Sequence, residues 1–172
     1  MPGHARMRAG FSLVEMLVVV LIIGLMTGVA VLSLNIADSH PARHSALQLA
    51  EILRTASEEA GIEGRSLALG FWQRGWRFYE LRAGVSWQPL QDDALLRARQ
   101  LPDGVHLALQ LQGEDVHLQH EDKTHPQVFL LASGEMQPFV LELRDGHRAP
   151  MWLHGNAIGQ VRVLDAQGKE LR

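Results

Sequence analysis

Residues 11–34, FSLVEMLVVVLIIGLMTGVAVLSL, hold 18 apolar residues and a single charge, Glu15. A helix of this length rises about 36 Å, enough to cross a bilayer, and its uniform apolarity leaves no face for water. The ten residues before it, MPGHARMRAG, carry Arg6 and Arg8 and no acid, a bias that holds this end in the cytoplasm and exports the remainder. A helix buried in a globular core is the weaker reading at this length. A cleaved secretory signal shares the basic start, yet this apolar run exceeds an ordinary h-region, Glu15 interrupts it, and Gly28 with Ala30 makes only a poor cleavage pair. An ordinary signal anchor stays open on these residues alone.

The whole chain has 172 residues, with 16 Lys and Arg against 19 Asp and Glu, and no cysteine. The length suits one compact domain plus an accessory segment, and the missing cysteines exclude any disulfide framework. A mean hydropathy of −0.02 describes neither the apolar stretch nor the more polar remainder of the chain.

Beyond Leu34 the composition turns polar through Asn35 to Pro41, which marks the membrane exit and a kink or restart of the helix. From Ala42 to Gly61 a helical period returns. Ala46, Leu49, Ala50, Leu53, Ala56 and Ala60 fall on one stripe, and Arg43, Glu51, Arg54, Glu58 and Glu59 lie elsewhere, with Gly61 as the expected C-cap. The expected long helix therefore runs from Phe11 to Gly61. Short apolar or alternating runs come next, at 67–72, 76–81, 105–111, 116–118, 128–131, 139–143, 151–153 and 161–164, separated by turns such as Asp103-Gly104 and Gln112-Gly113. The predicted class is α+β, a long N-terminal helix packed on a C-terminal antiparallel β-sheet or sandwich domain.

Side chains able to carry chemistry are present but poorly arranged for it. His117 and His120, with Glu121, Asp122 and His125 nearby, have a chelating spacing only on a helix; in a strand and turn they point apart. No G-x-S-x-G elbow, HExxH or phosphate loop occurs, so no enzyme, metal or cofactor is expected. The stretch Trp72-Gln-Arg74-Gly-Trp76-Arg77-Phe78 mixes basic and aromatic residues as nucleic-acid sites do, and its competing reading is a hairpin with inward aromatics. Loss of Arg6 and Arg8 would take the formal charge from −3 to −5, which opposes nucleic-acid binding. Most of tryptophans 72, 76, 87 and 152 are expected in the core.

The junction Gly10-Phe11-Ser12-Leu13-Val14-Glu15, a glycine, an aromatic residue and a glutamate four positions later ahead of an apolar run, resembles the class III signal of type IV prepilins and pseudopilins. Further on, SALQLAEILRTASEEAGIEGRSLAL, the Gly75-Trp-Arg-Phe-Tyr79 strand and Val128-Phe-Leu-Leu-Ala-Ser-Gly-Glu-Met-Gln-Pro-Phe139 are similar to the domain of H-type minor pseudopilins of type II secretion and of related minor type IV pilins.

The resemblance implies a cleaved leader (1–10), a transmembrane and assembly helix (11–34), an amphipathic continuation (35–61) and a periplasmic β-rich domain (62–172). It implies that a prepilin peptidase cuts between Gly10 and Phe11 and N-methylates Phe11, in a single-pass inner-membrane protein. Glu15 would pair with the freed amine, either within the chain or, as the family implies, on the Phe11 of a neighbouring subunit. Gly24 and Gly28 have the spacing for close helix packing. The implied partners are the major pseudopilin, other minor pseudopilins, the prepilin peptidase and the inner membrane, with no nucleic acid. The implied role is a subunit near the tip of a short filament that supports export of folded proteins, and the alternative is a minor type IV pilin serving pilus initiation, twitching or DNA uptake. The absent cysteines weigh against the pilin, since such pilins often carry a C-terminal pair. Mass spectrometry of the protein from its native membrane should find N-methylated Phe11 at the N-terminus; a chain that retains Met1 removes the prepilin reading.

Overall fold

The computed structural model describes residues 13–24, 40–146 and 148–171, and the chain divides into two units, Met1–Ser39 and His40–Arg172. In the first unit the described residues form one helix, α1, residues 13–24. Among the described residues no helix is long and apolar enough to cross a membrane. The described part of α1 rises only about 18 Å. The remainder of the expected span, the leader, the Gly10–Phe11 junction, Gly28 and residues 35–39 of the expected kink or restart at 35–41 lie outside the described residues. His40, at φ −95° and ψ 84°, is not helical, so a helix restarts at Pro41 and the single helix expected from Phe11 to Gly61 is corrected.

The second unit opens with helix α2 (Pro41–Glu63). Proline in the first turn gives up an N–H that would have had no intrahelical acceptor and supplies a helical φ. The expected end at Gly61 is corrected. Gly61 stays helical, and Gly64, with φ of 65°, takes the left-handed conformation and returns its N–H to the Ala60 carbonyl. On the inward stripe Ala42, Ala46, Leu49, Ala50, Leu53, Ala56 and Ala60 are all buried. So many methyl side chains let the helix axis lie close to what it covers.

Eleven strands follow among the described residues: β1 (Leu67–Trp72), β2 (Gly75–Arg82), β3 (Ser86–Pro89), β4 (Arg99–Gln100), β5 (Val105–Leu111), β6 (Glu114–Val116), β7 (Val128–Leu130), β8 (Phe139–Asp145), β9 (Met151–Gly155), β10 (Val161–Leu164) and β11 (Glu170–Leu171). One sheet has the order β3-β2-β1-β7, with β4 also paired to β2; the other runs β11-β10-β9-β8-β5-β6. Every pairing is antiparallel. The α+β expectation therefore holds. Helix α2 lies against β8, β9 and β10, and its stripe joins a single core that also takes Leu69 and Phe71 of β1, Trp76 and Phe78 of β2, and the inward residues of the larger sheet.

Period-two alternation decides which side of β5 faces in. Val105, Leu107 and Leu109 are buried while His106, Ala108 and Gln110 are exposed. Across the ladder, Leu107 stands opposite Leu143 and Leu109 opposite Leu141, so apolar pairs stack on the helix side. The expected strand at 116–118 lies two residues earlier, at Glu114–Val116. Gln112 and Gly113 both have positive φ, 54° and 85°, which is the two-residue turn that folds β5 directly onto β6 and fixes Leu111 opposite Glu114. Leu118 leaves the ladder but stays buried. Strands β3, β4 and β11 were not expected; β4 and β11 have two residues each and leave no readable alternation.

At the end of β9, Gly155 pairs with Phe139, and a Cβ there would collide with the Phe139 ring and come within 2.8 Å of Met136 Cε. The aromatic ring thus occupies the space a side chain would need. Gly155→Val should lower stability by about 1–3 kcal/mol, because overpacking outweighs the gain in strand propensity. Chemical denaturation checks this, and Phe139→Leu in the same chain should recover part of the loss; a Gly155→Val chain as stable as the parent would refute the packing account.

Candidate functional site

Helix α1 is apolar on every side, and its large side chains are exposed, from 42% at Val19 to 81% at Leu13. Such a surface has no stable place in water and calls for lipid or other apolar helices. Glu15 is the one charged residue in it and is itself exposed. At Gly24 a Cβ would meet nothing within 4 Å, so the helix presents a notch there. Gly24 and Glu15 are thus both on an accessible surface. Gly10, Phe11 and Gly28 lie outside the described residues.

In the second unit the hairpin reading of 72–78 is the one observed. Trp72, Trp76 and Phe78 are buried, with β1 and β2 closing on Trp72 opposite Gly75. Trp87 is half-buried and tilts against Phe129 at 5.3 Å, and Trp152 is half-buried on β9. Strand β1 is buried along its whole length. Leu67, Leu69 and Phe71 enter the core, and the segment 117–127 covers the opposite face. That cover is hydrogen-bonded along its length: Gln73 N–H donates to the Gln119 carbonyl at 2.9 Å, Thr124 Oγ1 to the Phe71 carbonyl at 3.2 Å, and Tyr79 OH to the Thr124 carbonyl at 2.6 Å. Burial is the main cause that raises the Tyr79 pKa, opposed by Arg77. Arg77 also pairs with Asp122 of the cover. Glycine at 70 is required by this approach, because a Cβ would lie 2.6 Å from the His125 carbonyl.

The histidines expected in a strand and turn belong to this cover instead. His117 follows the end of β6 and is exposed, and the ring of His120 is hydrogen-bonded to the Gln73 side chain. Among the described residues no three potential ligands gather around a metal-sized point.

Sequence reasoning missed a basic cavity of about 700 Å³, between the first turns of α2 and the Arg97–Asp103 segment. His44, Arg74, Arg97 and Arg99 line it, with Trp76 in its wall and Asp103 paired to Arg74. These residues come from three separate segments. The nearest signal in the sequence is Arg97-Ala-Arg99, unremarkable until β4 lays it beside β2, with Arg99 opposite Trp76.

Two comparisons of sequence and one of structure bear on these surfaces. Residues 5–31 match the family described as the prokaryotic N-terminal methylation motif, and residues 45–163 match the family described as type II transport protein GspH. Type II secretion system protein H of Aeromonas hydrophila is 29% identical, covering 95% of this chain and 97% of the relative. The protein of the same description from Pseudomonas aeruginosa is 30% identical over 81% and 85%. The crystal structure of the minor pseudopilin EPSH from the type II secretion system of Vibrio cholerae superposes with a TM-score of 0.61 at 26% identity, covering 72% of this chain and 93% of that one. The solution structure of Escherichia coli GspH, at 23% identity and a TM-score of 0.57, shares the fold.

On the larger sheet His154 stands opposite Arg162. Partial burial, and then the Arg162 charge, hold its pKa below the ordinary value of 6.5. The unfolded chain therefore takes up this proton more readily than the folded one. The contribution of this site is complete above about pH 6.5 and is lost as pH falls toward the folded value. Denaturation midpoints measured from pH 7 down to 5 should fall less steeply for His154→Gln than for the parent; identical slopes would refute the assignment.

Proposed function

Since the chain belongs to the type II transport protein GspH family, we propose a specific route by which it works as a minor pseudopilin of type II secretion, through assembly rather than catalysis. The observation that carries this reading is the joining in one chain of a methylation-motif match at 5–31 and the GspH match at 45–163, with an exposed apolar helix carrying Glu15 inside the first. The second match favours a secretion subunit over a type IV pilin.

The leader, 1–10, is cut off by a prepilin peptidase at the cytoplasmic face, and Phe11 is N-methylated. Residues 11–34 hold the protein in the inner membrane, and the unit from His40 onward stands in the periplasm. A carboxylate at depth in a bilayer costs about 2.5–3.5 kcal/mol, so Glu15 needs a compensating charge. The new Phe11 amine, mostly cationic near neutral pH, supplies it. Placed on the next subunit, that amine turns the cost of Glu15 into a registration signal: an incoming helix is at rest only when its carboxylate reaches the neighbour's terminus. Apolar contact supplies adhesion, and the notch at Gly24 together with Gly28 lets helices approach. The neighbours are the major pseudopilin and other minor ones, with this subunit near the filament tip.

Glu15→Val should leave cleavage after Gly10 intact, as read by mass spectrometry. Incorporation into the sheared or cross-linked filament should drop at least tenfold. Normal incorporation would overturn the pairing.

A further inference from the structure

We propose that the cavity between the first turns of α2 and the Arg97–Asp103 segment is an anion-binding site that takes a glutamate side chain from another protein subunit. The chain as a whole is acidic, at −3, yet Arg74, Arg97, Arg99 and His44 converge here against a single acid, Asp103, already paired with Arg74. Arg97 and Arg99 make no ion pair among the described residues.

Among the residues that line this cavity, the buried side-chain nitrogens and oxygens without a partner are all donors. Trp76 is 2% exposed and its Nε1–H has no acceptor among the described residues; the same holds for the Nε–H groups of Arg74 and Arg99. An indole N–H and a guanidinium can only donate, so what they lack is an acceptor, and a buried donor left without one is costly. Arginine forks match a planar carboxylate through paired hydrogen bonds.

Size and lining then choose among anions. At about 700 Å³ the cavity admits a whole side chain. The donors alone would serve a phosphate as well as a carboxylate; Ala98, Leu101 and Pro102 add apolar wall beside them, which suits the methylene stem of a glutamate and favours the side chain. That the glutamate comes from a neighbouring subunit rests on the assembly reading; the anion site itself does not.

The test is a titration of the full chain in detergent micelles, with the Trp76 indole N–H followed by NMR and assigned through Trp76→Phe. The probes are the peptide acetyl-Ala-Glu-Glu-Ala-amide, its Gln-Gln counterpart, inorganic phosphate and micelles doped with phosphatidylglycerol, all at one ionic strength. The Glu peptide should shift the Trp76 signal saturably and the Gln peptide should not. In Arg97→Gln/Arg99→Gln the affinity should fall at least tenfold while the other signals keep their dispersion. No shift, an equal shift with the Gln peptide, or a response to phosphate or phosphatidylglycerol without one to the Glu peptide would each overturn the proposal. The readout needs no filament, so its failure is distinct from a failure of Glu15→Val to block incorporation.

Discussion

The close seating of α2 on β8, β9 and β10 is the contact on which the rest of the second unit depends. Its inward stripe alternates leucine with alanine, so Leu49 and Leu53 reach into the core while Ala46, Ala50, Ala56 and Ala60 hold the backbone near the sheet. A larger residue at any of the alanines would lift the helix and open space around Leu141, Leu153 and Val163, all fully buried. Only because the helix sits so low can one core also receive Leu69, Phe71 and Phe78 from the smaller sheet.

The two units meet the demands of apolar surface in opposite ways. From His40 onward the large side chains are mostly enclosed by the chain itself, and even β1 is covered on its second face by the hydrogen-bonded segment 117–127. In α1 the leucines, valines and isoleucines are left for something else to cover. That division leaves the second unit held by its own contacts and α1 in need of apolar surroundings.

How far an element can be read from the sequence depends on how local its cause is. The stripe on α2 and the alternation of β5 repeat over enough residues to be unambiguous, and β1, β5 and β10 have the bounds expected of them. Helix α2 passes Gly61 and ends where Gly64 turns left-handed; two glycines three positions apart offer alternative ends, and the residues between them are exposed, so no burial pattern in the sequence marks the choice. Strands β4 and β11 owe their existence to a partner strand rather than to their own pattern. The candidate site divides in the same way. Glu15 stands out as one charge in an apolar run, whereas the basic cavity needs Arg74, Arg97, Arg99 and α2 brought together by tertiary structure, and no spacing in the chain announces it.

The sheets end in short strands. The larger is bounded by β6 and β11, of three and two residues, and the smaller by β7, of three, and by β3, which contains Pro89. The outer side of β7 is partly occupied as well, through the bridge from Leu130 to Met136. An open strand border invites strand-to-strand fusion with another chain, and borders this brief and interrupted deny that route. Contacts between folded units are thereby left to side chains rather than to shared strands.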